Sequence, residues 1–271
     1  MESLEGRTYG PYPVRVCRER VAEFVSVTCD DPERWQKEAP PGWAAAALFV
    51  VAPRLLADPD LEKIARSVIH GEQRFAWNGP IAMEADLQVT GRITRVRERA
   101  GVFFVGFDME VTDASSALVS GGSTFIMSGT EPPGGENSEI TEPGPLESGP
   151  NDPIQLQSEF TPFRRSASRA DLVRYAAATR DWNPIHWDHG AAVEAGLPGI
   201  VVHGLLQAAW LLSGASRLNG RPDPFIDARF RFRSPLLAKT EVTVIGSGSP
   251  MTTAALTEGD REIVSATINL R

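Results

Sequence analysis

Asp181-Trp182-Asn183-Pro184-Ile185-His186 holds a carboxylate and an imidazole five positions apart around a rigid Asn-Pro turn. Ile200-Val201-Val202-His203-Gly204 follows it and opens a strongly apolar stretch. A carboxylate and an imidazole aimed at one small volume can hold a water and divide proton transfers between them. The amide of Gly204, placed at a helix start, can polarise a carbonyl oxygen. The combination points to an enzyme that handles water and a carbonyl compound.

Each of these residues also has a plainer use. Asn-Pro commonly starts turns, so Asp181 can cap one with His186 incidental. Against accident, His186, His189 and His203 are three of only four histidines and fall within 18 residues. A metal is the rival use, with His186 and His189 joined by Asp181 and Asp188. Pro184 and Gly190 flank that histidine pair, so no continuous helix presents it, and the tighter zinc spacings H-E-x-x-H and C-x-x-C do not occur. No metal is expected. The His203 ring reads most simply as satisfied by backbone, whereas Gly204 acts through its amide and tolerates close packing as well. Gln207 and Ser213, roughly one to three helical turns further on, are candidates for a side-chain contact to the same carbonyl. Arg229, Arg231 and Arg233 alternate with Phe230 and Phe232; they form a solvated strand face or a contact for an anionic carrier tail. With no G-x-S-x-G elbow, no P-loop and no G-x-G-x-x-G before a helix, neither a serine nucleophile nor a nucleotide site is expected.

The formal net charge of -8 offers no basic footprint for nucleic acid. Cys17 and Cys29 make no disulfide framework and read as reduced thiols. The acidic start Met1-Glu2-Ser3-Leu4-Glu5 lacks the layout of a signal peptide, and the apolar run from Trp43 to Ala52 ends at Pro53-Arg54, too short to span a bilayer. A cytoplasmic protein with neither a membrane nor a nucleic-acid partner is expected.

Positioning these groups falls to two similar halves. Gly129 to Pro153 is rich in Gly, Pro, Glu and Ser, too poor in large apolar residues to offset its ordering entropy, and reads as a mobile linker. The expected division is residues 1–130, a linker over 131–155, and 156–271. Phe75, Trp77, Pro80, Ile81, Leu87, Val89 and Gly91 recur at constant offset as Phe230, Phe232, Pro235, Leu236, Val242, Val244 and Gly246, which indicates an internal duplication. In both halves helical segments are expected first and strands afterwards. Ser168-Arg169-Ala170-Asp171 has the form of a capping box ahead of the stripe Leu172, Val173, Ala176, Ala177, and Val21, Phe24, Val25, Thr28 make a similar stripe. Gly204 to Leu212 is apolar on every side, as a fully enclosed helix must be, with Asn219-Gly220 as its stop. Strands are expected over 229–233, 241–245 and 262–270, and over 84–96, 102–111 and 120–127. One enclosed helix followed by antiparallel strands, repeated once, is an α+β double hot-dog: two tandem units, each a curved sheet wrapped around a buried helix, with the sheets side by side.

Taken with Trp187-Asp188 and Ala195-Gly196, the Asp-x-Asn-Pro-x-His loop and the His203-Gly204 pair resemble the MaoC-like hydratases, the family of the (R)-specific enoyl-CoA hydratases. The agreement runs from about Ser168 to Gly220. The half from Phe160 to Arg271 resembles a complete catalytic hot dog. The first half resembles the degenerate N-terminal unit of longer members, such as hydratases of the methylfumaryl-CoA and mesaconyl-CoA type. Departures are Ala238-Lys239, where Gly-Asp is usual, and Leu205 after His203-Gly204; they leave the subfamily open. The resemblance implies that Asp181 and His186 form the catalytic dyad, that Asn183 orients it, and that Gly204 N–H holds the thioester oxygen. His203 and Ser213 are further candidates for substrate contact. It implies reversible hydration of a 2-enoyl thioester to a (R)-3-hydroxyacyl thioester without a cofactor, one site per chain, on a coenzyme A or acyl-carrier substrate. The first half would supply room for a long or bulky acyl group. A hot-dog thioesterase and a non-catalytic partner of another hot-dog subunit are the alternatives. The internal pairing leaves both a monomer and a homodimer open.

Overall fold

The computed structural model describes residues 4–130, 159–248 and 251–271. The linker expected over 131–155 lies outside them. The first half runs β1 (Thr8–Arg15), α1 (Arg18–Thr28), β2 (Glu38–Ala39), α2 (Ala44–Leu56), α3 (Pro59–Glu62), β3 (Ser67–Trp77), β4 (Ile81–Ala82), β5 (Asp86–Arg99), β6 (Val102–Thr112) and β7 (Ala117–Ser128). The second runs β8 (Phe163–Arg165), α4 (Arg169–Thr179), α5 (His189–Glu194), α6 (Gly204–Ser216), β9 (Phe225–Phe232), β10 (Val242–Gly248), β11 (Met251–Glu258) and β12 (Arg261–Leu270).

Ten strands form one antiparallel sheet in the order β1-β5-β6-β7-β3-β9-β12-β11-β10-β8, and β2 pairs with β4 apart from it. Read from either end toward the middle, the order is the same succession of elements. The halves meet where β3 pairs with β9, with Gln73 opposite Phe230, Arg74 opposite Arg229 and Phe75 opposite Ala228. This is the side-by-side double hot-dog. A strand precedes the first helix in each half, contrary to the order read from sequence. Pro11 and Pro13 hide the alternation of β1, and as an edge strand it tolerates the lost donors; β8 is only three residues long.

Strand alternation aims Leu87, Val89 and Ile93 of β5 inward, with the polar positions between them turned outward. Gly91 falls in the same inward set, where a Cβ would sit 2.3 Å from the Phe107 ring and only glycine fits. In the second half every residue of α6 from Leu205 to Ser216 is buried. Each large apolar side chain enclosed this way contributes about 1.5–3 kcal/mol relative to exposure. α2 packs on β1, β5 and β6, and α6 on β9 through β12, so each helix serves its own half of the sheet.

The capping box forms as expected: Ser168 Oγ accepts from the Asp171 amide, and the Asp171 carboxylate accepts from the Ser168 amide. A residue such as Ser168 at a helix start is worth about 1 kcal/mol. The apolar stripe that follows needs correction. Val173 and Ala177 are exposed, and the buried residues are Leu172, Tyr175, Ala176, Ala178 and Thr179. The buried face is set by α1, which crosses α4 with Phe24 5.8 Å from Tyr175, ring centroid to centroid. Arg20 donates to the Ala178 carbonyl at 2.7 Å, and Arg34 to the Asn219 carbonyl at 2.6 Å, so the first half clamps the ends of α4 and α6. Of the repeated aromatics, Phe75, Trp77 and Phe230 are buried and Phe232 is half-buried against the core. None of the helices among the described residues is long and apolar enough to cross a membrane.

Candidate active site

α4 ends when Arg180 takes the left-handed conformation, φ 69°. Thr179 turns its hydroxyl onto the Tyr175 carbonyl at 2.8 Å and accepts from the Asp181 amide at 3.3 Å. Asp181 is thereby folded under the helix end and is 7% exposed. Its carboxylate accepts from the Asn183 amide at 3.5 Å, and the Asn183 side-chain oxygen in turn accepts from the Ile185 amide at 3.4 Å. Asn183 itself is exposed; it shapes the loop through this turn rather than lining the interior. Pro184 to His186 then makes one short 3-10 turn that swings the His186 ring inward.

Two bonds tie this loop to the segment before α6. His186 Nδ1–H donates to the Val201 carbonyl at 2.8 Å, and the Val201 amide donates to the Ile185 carbonyl at 3.2 Å. With Nδ1 protonated, Nε2 of the neutral ring is the acceptor. His203 is fully buried, its Nε2–H donates to the Asp181 carbonyl at 3.2 Å, and its ring stacks on His186 at 3.8 Å between centroids and 25° between planes. The backbone satisfaction read for His203 is what the structure holds, and the oxygen that it meets belongs to Asp181.

Burial decides the charge of the group. It pushes the Asp181 carboxyl up to about 7, opposed only by the Asn183 amide. It lowers the His186 imidazole to about 4, against the favourable Val201 carbonyl. His203 is held well below the usual range by burial and by the adjacent His186. At neutral pH both rings are uncharged, and the carboxyl titrates.

One atom from each of Asp181, His186 and His203 lies within 4.8 Å of the others, which makes this the metal-like cluster among the described residues. Its shape does not suit a metal. Imidazole lone pairs lie in the ring planes, and two rings stacked at 25° aim theirs nearly parallel instead of converging at a bond length of about 2.0–2.1 Å. The rival set is not assembled either: Asp188 caps α5 by accepting from the Ala191 amide, and the cluster does not include His189.

Gly204 is the first residue of α6, where helix geometry leaves amides without partners inside the helix. A Cβ at this position would lie 3.2 Å from the Phe232 ring, so the ring edge closes directly on the glycine. Gln207 donates to the Val202 carbonyl at 3.0 Å and braces the same turn. Ser213 sits elsewhere: its hydroxyl donates to the Trp210 carbonyl at 3.0 Å, and it lines a small cavity with Phe24, Thr28, Asp30 and Gly42. Nine residues, about two and a half helical turns, separate it from Gly204, so it leaves the opposite face of α6 and points toward the first half. Arg229 and Arg231 pair with Glu72, and Arg233 with Glu262, on the outer sheet face.

Sequence reading missed Tyr175, which is fully buried with its ring centroid 4.9 Å from that of His203. The signal was its place three residues after Leu172 and four before Thr179. The cavity near Ser213 also reveals a silent counterpart. Thr28 bonds the Phe24 carbonyl at 2.8 Å, Cys29 is left-handed at φ 54°, and Asp30 is buried with its carboxyl pushed up. These repeat Thr179, Arg180 and Asp181. Five residues after Asp30 the chain has Trp35 in place of an imidazole.

A family model described as a MaoC like domain matches residues 150–255, which contain the whole loop and α6. The chain is 32% identical over 131 residues to a UPF0336 protein of Streptomyces avermitilis, covering 44% of this chain and 87% of that one. It is 25% identical over 236 residues to 3-hydroxyacyl-thioester dehydratase X of Mycobacterium tuberculosis, covering 87% of this chain and 78% of that one. A solved MaoC-like dehydratase superposes with a TM-score of 0.75 at 19% identity, over 100% of this chain and 99% of that one. The loop and helix that build the site therefore lie in a domain of the MaoC-like family, and the chain as a whole is of one family with the UPF0336 proteins.

Proposed function

We propose that the protein catalyses reversible hydration of a 2-enoyl thioester to a 3-hydroxyacyl thioester at Asp181 and His186, with Gly204 N–H as the oxyanion donor. The observation that carries this reading is a buried carboxyl and a buried imidazole, joined in one cluster, whose ionisations are displaced in opposite directions. Such a split assigns acid and base roles at one pH.

In the hydration direction His186 Nε2 accepts a proton from water as the water oxygen bonds to the β-carbon. The alkene electron pair moves toward the thioester oxygen, where the Gly204 amide faces the developing charge. A donor of this kind lowers such a barrier by roughly 3–4 kcal/mol. Collapse of the enolate takes a proton from the Asp181 carboxylic acid onto the α-carbon. Imidazolium and carboxylate then exchange a proton, and dehydration follows the same path reversed. His203 positions Asp181 through its backbone carbonyl and His186 through the stack.

The test is hydration of crotonyl-CoA and of a longer 2-enoyl-CoA by purified protein, with chiral analysis of the product and Asp181→Asn as control. Formation of (R)-3-hydroxyacyl-CoA by wild type and not by the variant is expected. Release of free thiol without hydration would replace this reading with thioester hydrolysis.

A further inference from the structure

β3 carries an irregularity that the reaction above does not use. Its pairing with β7 shifts between His70 and Glu72, leaving Gly71 as an extra residue. Side chains two apart normally share a sheet face, so a regular strand would put Ile69, Gly71 and Gln73 together. With the bulge, His70 and Gln73 share the concave face, and Ile69 is turned out, 58% exposed. Bulges that re-aim one side chain are over-represented beside active sites.

On that face His70 Nε2 lies 3.1 Å from the Gln73 side-chain oxygen, which also accepts from the Ser123 hydroxyl at 2.7 Å. The Gln73 amide group donates to the Arg74 carbonyl at 2.8 Å, so both ends of its side chain are engaged. Gln73 and Ser123 are buried among Phe75, Phe107, Phe125 and Met127, a setting in which polar groups cost stability unless they are paired. The pairing holds the His70 ring between two aromatic rings, 5.0 Å from Phe125 and 5.1 Å from Phe232 between centroids. Phe232 is the ring whose edge closes on Gly204. One aromatic side chain therefore separates His70 from the proposed oxyanion donor. Burial lowers the imidazole to about 4, opposed by its contacts with the Gln73 side chain and the Glu72 backbone, so the ring is neutral at physiological pH.

Resting on the hydratase reading for the position of the thioester, we propose that His70, held by Gln73 and Ser123, is a specificity residue of the first half that recognises an uncharged polar group on the acyl chain. The substrate class is an acyl thioester that carries an uncharged polar group, such as a hydroxyl, in preference to the plain alkyl one. His70 supplies the contact, Gln73 and Ser123 fix its ring, and Phe125 and Phe232 shield the bond from water.

The experiment measures binding of octanoyl-CoA and its ω-hydroxy analogue, and of the hexanoyl pair, by calorimetry on the full chain. These saturated thioesters cannot be hydrated, so binding is read apart from turnover. Wild type is expected to prefer the hydroxylated member of at least one pair by roughly tenfold, as one hydrogen bond retained in a shielded site allows. His70→Phe, which keeps an aromatic ring between Phe125 and Phe232, is expected to abolish the preference. His70→Gln is expected to keep part of it. The same ratios should appear in KM for the matching 2-enoyl thioesters, with kcat little changed. An unchanged ratio in His70→Phe, or no preference in wild type, overturns the specificity role while leaving the hydratase reading intact. Selective binding without turnover overturns the hydratase reading and leaves the recognition in place. No binding of any of the four thioesters overturns both.

Discussion

Arg74 of β3 and Arg229 of β9 lie directly opposite each other across the seam between the halves. The offset that superimposes Phe75 on Phe230 and Trp77 on Phe232 also superimposes Arg74 on Arg229. A residue paired with its own repeat marks a local two-fold axis, so the chain reproduces within itself the symmetric contact of two separate hot dogs. Like charges opposite each other on neighbouring strands are unfavourable. Here Glu72 lies between the arginines of β9, 2.6 Å from Arg229 and 3.1 Å from Arg231. Those groups are partly exposed, so the pairs secure register more than stability.

The second half alone, residues 156–271, is expected to dimerise. Removing β3 bares the hydrogen-bonding edge of β9, and such an edge seeks another strand. Because the axis runs through Arg229, β9 can pair with itself in the native register, with Asp227 standing where Glu72 stood opposite Arg231. Light scattering on the excised half checks this; a folded monomer would contradict it.

Asp181→Asn is expected to reduce turnover at least about a thousandfold and to stabilise the fold above neutral pH. The folded carboxyl titrates near 7 against an ordinary 3.8, so the native state binds this proton more tightly than the unfolded chain does. Its contribution is fully present below 3.8 and is lost as pH rises through 7. Removing the ionisable group should recover up to about 4 kcal/mol at pH 8 and nothing at acidic pH. Thermal unfolding of both proteins across that range is the measurement.

Hydration and dehydration should share one bell-shaped kcat/KM profile. The hydrating form has a protonated Asp181 and neutral His186, and the dehydrating form is its tautomer, so both carry one proton. Activity should fall as pH rises through about 7, where Asp181 loses its proton, and as it drops through about 4, where His186 gains one. Initial rates in both directions test this, and limbs that differ between them would refute the assignment of roles.

Gly204→Ala is expected to lower kcat about 10- to 100-fold with little change in fold. The new methyl group would sit 3.2 Å from the Phe232 ring, and the small shift needed tilts the amide away from the thioester oxygen. Adding Phe232→Leu to make room should restore part of the rate, which steady-state kinetics on the single and double variants would show.

Much of this protein is legible along the chain because its decisive signals are local. The Asp181–His186 spacing, the Asn183-Pro184 turn, the all-round apolarity of Gly204 to Leu212 and the constant offset between the halves each depend on residues a few positions apart, or on a repeat. Local chemistry of that kind sets which segments turn, which are enclosed and which residues reach one loop. Val173 and Tyr175 mark where it stops. The side of α4 that faces inward is chosen by α1, more than 140 residues away, and periodicity alone does not identify that partner. Ser213 likewise follows Gly204 on one helix, yet faces the first half's silent pocket. The stacking of His186 on His203, the Val201 carbonyl that sets the tautomer, and the burial that displaces Asp181 and His186 in opposite directions arise only when separate segments meet in a low-dielectric interior. Sequence determined which groups are present and roughly where the loop carries them; tertiary packing decided their protonation and their partners, because desolvation depends on everything that surrounds a group in space.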